Sequence, residues 1–205
     1  MHSKMKTSFM GTVMKYKIIL LLFIGTLSCK TETKKGSKTI TESKIELENK
    51  VEKTVLELWN DFIKVNPNYK ASDIPESDFF HNNKFDADRL AQLILIGKKK
   101  ASSGLFILYK QYNIDLPKIG AMKIVTDFNG SAKAIIKTTH VDTIPFYKIS
   151  DEYAQLDMGT NIEPLNKWKK AHWDFFSEFL KENDGKMDEK MLVVCEKFET
   201  IWPVN

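Results

Sequence analysis

The sequence predicts an α+β fold, in which a small antiparallel or mixed sheet or barrel carries helices packed outside it. Three observations predict it. Stretches with helical apolar spacing stand apart from runs rich in β-branched residues. The pair Asn129-Gly130 lies between two such runs, the strongest short-range signal for a hairpin. The chain also ends on a further run of this kind, Met191 to Trp202. With 205 residues, 42% of them hydrophobic, the chain can bury one good core. Residues 51–205 are therefore expected to form one domain, with 1–29 and 30–50 as appendages.

The first appendage reads as a targeting segment. Ile18 to Leu27 form a ten-residue apolar core behind Lys15 and Lys17. That is too short to span a bilayer. A small residue, Ser28, precedes Cys29, a pattern similar to a bacterial lipoprotein signal, although Thr26 stands where leucine is usual. The expectation is lipidation of Cys29 and a place in the cell envelope, facing the periplasm or the exterior. An ordinary secretory signal or an uncleaved anchor is the alternative. Several acyl chains, at roughly 0.8 kcal/mol per buried CH₂, would hold firmly. Met14 is a more natural start than Met1. Residues 30–50 are rich in Lys, Thr, Ser and Glu and lack aromatics. Such a composition buries too little surface to offset its ordering entropy, so it reads as a flexible tether.

The domain opens on a helix, with Val51, Val55, Leu58, Trp59 and Phe62 on one stripe. Asn66-Pro67-Asn68 breaks it. Tyr69 to Phe85 reads as an irregular loop, after which Asp86 is the expected N-cap of a second helix burying Leu90, Ala91, Ile94 and Leu95. Gly97 is the expected stop, because glycine adopts the left-handed C′ conformation without steric cost. Leu105 to Tyr109 is apolar and of undetermined type, and Leu116 to Gly120 is a turn. Met122–Asp127 and Ala132–Val141 are the hairpin strands, closed by Pro145. Ser150 is placed to cap a short helix over Asp151–Leu156. Pro164 suits the first turn of a long helix whose face carries Leu165, Trp168, His172, Phe175, Phe176 and Phe179. Asn183-Asp184-Gly185 is its expected end.

Charge narrows the partners. The net value of +4 arises in the leader, since four lysines precede Cys29 and the rest carries 27 basic and 27 acidic residues. Residues 30–50 hold six of the lysines and four of the glutamates, so the domain from 51 onward sits at −2. It lacks the bulk electrostatic footprint that long nucleic acid requires, and a small ligand fits better. Cys195, inside Leu192-Val193-Val194, reads as a small core residue. His81 and His140 are isolated, and no metal or cofactor motif appears. Trp59, Trp173 and Trp202 read as core.

The segment Gly97-Lys98-Lys99-Lys100-Ala101-Ser102-Ser103-Gly104 presents three ammonium groups and then two hydroxyls. Lys99 and Ser102 are three apart, a spacing that brings amine to hydroxyl if the segment curls. A solvated basic loop is the plainer reading. Several ordered motifs accompany this segment: Leu90-Ala91, Leu116-Pro117-Lys118-Ile119-Gly120, Ile135 to Thr139, Pro145-Phe146 and Tyr153-Ala154. Trp168 through His172-Trp173 to Phe176, and Val194 to Phe198, complete the series. Together, over Leu58 to Trp202, they resemble the ASCH domain family, whose fold is a PUA-like β-barrel with flanking helices. The resemblance covers about seven tenths of the chain.

What the resemblance implies about function is varied. Members have been regarded as RNA-binding modules, and one has been described as a ribonuclease. A small bacterial branch hydrolyses the amide of N4-acetylcytidine with a lysine, a threonine and a glutamate. That branch's Gly-x-Lys-x-x-Thr reads here as Gly97, Lys99 and Ser102. Its glutamate, three residues after an alanine, reads as Asp157 after Ala154. Ala121 also departs from the family's usual aspartate. The implied catalytic set is thus Lys99, Ser102 and Asp157, with Lys98, Trp168 and His172 as substrate-binding candidates and a small nucleoside-like molecule as ligand.

In that set, Ser102 would attack an amide carbonyl or position a water, and neutral Lys99 would take its proton. A free lysine titrates near ~10.4, so it needs a depressed pKa to act as a base. Lys98, Lys100 and burial push that way, and Asp157 pushes back. Asp157 would orient Lys99, bind an exocyclic N–H or protonate the leaving amine. A binding module for a nucleotide or RNA fragment, and an interaction scaffold, are the alternatives. Convergence of the three side chains decides between them.

Overall fold

The computed structural model describes residues 52–181 and 185–204. The targeting segment, the tether and Cys29 lie outside them. The described residues form two compact units, one of 52–91 with 123–134, the other of 92–122 with the chain from 135 onward. Five strands carry the order β1-β3-β4-β5-β2. They are β1 (Ser77–Asp78), β2 (Ala101–Leu105), β3 (Met122–Thr126), β4 (Ala132–Pro145) and β5 (Leu192–Trp202). The helices are α1 (52–65), α2 (Lys84–Leu95), α3 (Phe106–Gln111), α4 (Asp151–Met158) and α5 (Pro164–Lys181). The architecture is the expected α+β one, a mixed sheet with flanking helices. Among the described residues no helix is long and apolar enough to cross a membrane.

In the first unit, α1 buries Val55, Trp59 and Phe62, three of the residues that its spacing marks. Asn66 ends the helix by donating its side-chain amide to Phe62 O at 3.0 Å. The following 3₁₀ turn, Pro67–Tyr69, sets the Tyr69 ring 5.2 Å from that of Phe62. The loop expected from Tyr69 to Phe85 contains the short β1, parallel to β3 with Ser77 opposite Ile124. Asp86 does not cap α2. Asn83 does, its Oδ1 accepting from Asp86 N at 2.9 Å while its amide donates to Asp86 Oδ2 at 3.0 Å. The pair is a reciprocal box, in which the expected cap occupies the third helical position. In the Asn129-Gly130 turn only Gly130 takes positive φ, at 84°. Asp127 Oδ1 holds the turn by accepting from Asn129 N and Ser131 N, each at 3.0 Å.

In the second unit, Gly97 ends α2 as expected, with φ 68°. Lys98 N donates to Leu93 O at 2.8 Å and Gly97 N to Ile94 O at 2.9 Å. This is a Schellman closure, and it turns the lysine run away from the helix axis. The chain then enters β2 directly, so Leu105 ends a strand and Phe106–Gln111 becomes the short α3. β5 lies between β2 and β4 and pairs antiparallel with both. Its Val193, Val194 and Phe198 are buried, as is Cys195. A bulge between Thr138 and His140 shifts the β4 register by one residue. Trp173, expected in the core, is 36% exposed.

Candidate functional site

Two residues in succession, Ser102 and Ser103, lie on opposite faces of β2 because side chains alternate along a strand. The segment does not curl, since Ala101–Leu105 pairs along its whole length with β5. Ser102 stands opposite Glu196, and Ser103 opposite Cys195. Extended spacing therefore joins Lys99 to Ser103 rather than to Ser102.

Helix α4 supplies the acid. Ser150 caps it, its Oγ accepting from Tyr153 N at 3.1 Å, and Gly159 ends it at φ 65°. The helix extends to Met158, two residues past the expected end, and so includes Asp157. Tyr153 and Asp157, four apart, share its buried face. Lys100 N donates to Leu156 O at 2.8 Å. A Cβ on Gly159 would lie 3.4 Å from Lys98 C and Lys99 N. The end of α4 is thereby held against the backbone of the lysine run.

The side chains converge on Asp157. Lys99 Nζ donates to its Oδ1 and, at 2.7 Å, to its main-chain carbonyl. Oδ2 accepts from Ser103 Oγ at 2.5 Å and Trp168 Nε1 at 2.8 Å, with His172 Nε2 3.4 Å away. Tyr153 Oη lies 3.0 Å from Ser103 Oγ and donates to Ser102 O at 2.7 Å. Lys99 is 4% exposed, Asp157 2% and Trp168 0%. The His172 ring stacks on Trp168 at 4.2 Å, and its Nδ1 lies 3.0 Å from Trp168 O. Of the side chains around Asp157, that of His172 is the one turned part-way to solvent.

Electrostatics follow from this packing. Burial alone would raise the Asp157 pKa. The charges of Lys99 and His172 and their hydrogen bonds outweigh it and hold the carboxyl well below its usual range. Asp157 is a carboxylate, and Lys99 Nζ finds two acceptors on this one residue. Burial first and the Asp157 charge second raise the Tyr153 phenol, which stays a neutral donor. The Cys195 thiol is pushed up to about 12, mainly by burial, and is an inert core group.

The structure thus brings together Lys99, Asp157, Trp168 and His172 of the expected set and adds Ser103 and Tyr153. It does not bring Ser102 to them. Lys98 is exposed. Trp168 is fully buried, with His172 stacked on it and the tilted Phe146 ring 4.9 Å away, so no ring face is left for a base. The exposed Trp173 lies elsewhere, in an open groove lined also by Pro145, Tyr147 and Met187. A second polar group occupies the other face of β2. There Thr138 Oγ1 donates to Glu196 Oε1 at 2.6 Å, across from Ser102. Reading 101–105 as a strand would have found Ser103, because residues 99, 101 and 103 share a face. Glu196 lies inside the Val194–Phe198 motif, which carries no signal of its role. Among the described residues, no group of three or more His, Cys, Asp and Glu side chains is placed to hold a metal.

Comparison with known proteins agrees with the fold. No protein with a curated description matches the chain. The solved structure of an ASCH domain from Lactobacillus crispatus JV V101 is 27% identical, with a TM-score of 0.64. The match covers 72% of this chain and 94% of that one. A protein from Enterococcus faecalis V583 is 31% identical at a TM-score of 0.64, over 73% of this chain and 88% of its own. The ASCH domain model itself matches residues 76–202. Fold and sequence agree, and this chain, with its PUA-like architecture, belongs to the ASCH domain family.

Proposed function

We propose that this ASCH domain binds a small nucleoside-like ligand and does not hydrolyse it. One observation carries the reading: Lys99 Nζ is shielded from solvent and donates to both the carboxylate and the carbonyl of Asp157. A general base needs a lone pair aimed at the proton it takes, and this nitrogen is directed instead at two acceptors of one residue. The acid is equally committed, since both its oxygens accept hydrogen bonds. The hydroxyl at the hydrolase position, Ser102, belongs to the other face of the strand. The Asp157 network therefore acts as a rigid polar support that ties α4 and α5 to β2.

Amide hydrolysis is the second reading. It is favoured by the direct Lys99–Asp157 contact, which joins two of the positions matching the amidohydrolase branch. Absorbance of N4-acetylcytidine incubated with the full chain separates the two. The expected result is no conversion above the solution rate, in wild type and in Lys99→Ala alike. Turnover that disappears in Lys99→Ala would overturn the binding reading. As part of the same proposal, lipidation at Cys29 holds the domain at the envelope. Incorporation of an alkyne fatty acid into wild type and not into Cys29→Ala is the expected outcome, and equal labelling of both would refute it.

A further inference from the structure

The face of β2 turned away from Asp157 carries a second polar arrangement. Ser102, Glu196 and Val141 lie directly opposite one another across β2, β5 and β4. The bulge at Thr138/His140 returns Thr138 to this same face, opposite Phe198. Thr138 is buried and donates to Glu196 Oε1 at 2.6 Å, which fixes the carboxylate. Both Ser102 and Glu196 are half-buried. Among the described residues no lysine, arginine or histidine forms an ion pair with Glu196, and the Ser102 hydroxyl makes no side-chain hydrogen bond. Taking a carboxylate partly out of water with one hydroxyl as its donor carries a cost that a ligand's N–H groups would offset.

The neighbours on this face shape the arrangement. A Cβ on Gly104 would lie 2.9 Å from Tyr109 Oη, so glycine is what lets α3 close over the strand beside Ser102. Gly120 N donates to Thr138 O and Thr138 N to Ala121 O, at 2.8 and 2.9 Å. These bonds tie the Leu116–Gly120 turn to the same edge.

We infer that Glu196, Ser102 and Thr138 form a recognition site for a planar ligand edge in which an N–H donor adjoins an acceptor. A carboxamide or an amino-substituted nitrogen ring has such an edge. Glu196 accepts from the ligand N–H, Ser102 donates to the adjacent ring nitrogen or carbonyl, and Thr138 holds the carboxylate in place. This deepens the binding proposal by naming its site, and it gives Ser102 a role independent of Lys99. No bond is made or broken.

The test is a titration of the full chain in detergent micelles, followed by ligand-observed NMR, with cytidine, 3-methyluridine and nicotinamide as probes. Cytidine and nicotinamide present the donor–acceptor edge, and the base of 3-methyluridine has no N–H. The expected result is that cytidine binds at least fivefold more tightly than 3-methyluridine. Glu196→Gln, which keeps an acceptor for Thr138, should weaken cytidine at least tenfold, and Ser102→Ala threefold or more. Unchanged melting temperatures would show that both variants fold. Cytidine binding that Glu196→Gln leaves unaltered would overturn the site and leave the binding proposal standing. Glu196-dependent binding of nicotinamide alone would support the site and overturn the nucleoside reading. No binding of any probe to wild type would overturn both.

Discussion

Asp157 accepts charge-assisted hydrogen bonds, and replacing it with asparagine would leave the Lys99 ammonium shielded from water without its counter-charge. Breaking a buried pair in this way typically costs about 3–5 kcal/mol. Urea melts of Asp157→Asn should show a loss in that range at constant m-value. The acid dependence has a definite sign. In the unfolded chain the carboxyl titrates near about 3.9, and in the folded chain it titrates lower. Its contribution to stability is therefore complete above the unfolded value and drains away as pH falls below it toward the folded one. Melting temperatures measured from about pH 6 to about pH 2.5 should fall more steeply in wild type than in Asp157→Asn below about pH 4. Parallel curves would mean that Asp157 does not carry this acid sensitivity. At this scale the lysine run marked Lys99, and the family pattern alone pointed to Asp157. Nothing in the spacing of 58 residues fixes their contact. That contact depends on how the end of α4 packs on the backbone of the lysine run.

At the scale of elements, β2 and α3 meet at Gly104, where the absent side chain leaves room for the Tyr109 ring. An added Cβ would lie 2.9 Å from Tyr109 Oη and 3.0 Å from Cε2. Tyr109 is 9% exposed and cannot swing freely, so Gly104→Ala should cost about 1–3 kcal/mol through overpacking. Tyr109→Phe removes the oxygen and leaves the ring edge. The double variant should accordingly recover part of the loss, a coupling that denaturant-derived cycles would detect. Additive effects would show that α3 gives way elsewhere. The elements themselves were largely legible. Apolar spacing located α1, α2 and α5, and a glycine at C′ located the end of α2. The misreadings came from competing local chemistry. Asn83 and Asp86 both suit a cap, and the backbone chose the earlier one. The run Leu105–Tyr109 was ambiguous because it holds the end of a strand and the start of a helix with no breaker between them. Trp173 shares α5 with buried aromatics, and hydrophobicity alone does not distinguish the helix faces.

For the molecule as a whole, β5 matters most, because it is the last strand in sequence and lies between β2 and β4. Its alternate residues serve both polar groups: Cys195 faces the Asp157 network, and Glu196 faces Ser102 and Thr138. Val193, Val194 and Phe198 fill the apolar layers on either side. No local interaction substitutes for this strand, since its partners on β2 precede it by about ninety residues. A chain ending at Met191 would leave β2 and β4 with open edges and uncover those side chains at once. Burying a Val- or Phe-sized side chain is worth about 1.5–3 kcal/mol, and total domain stability is only about 5–15 kcal/mol. The expected outcome is therefore loss of cooperative unfolding rather than a lowered midpoint. Circular dichroism would show no sigmoidal thermal transition, and Trp168, buried in the full chain, would emit at the wavelength of a solvated indole. A sharp transition in the truncated chain would show instead that the remaining strands pair without β5. Neither face of the strand would then need it to assemble.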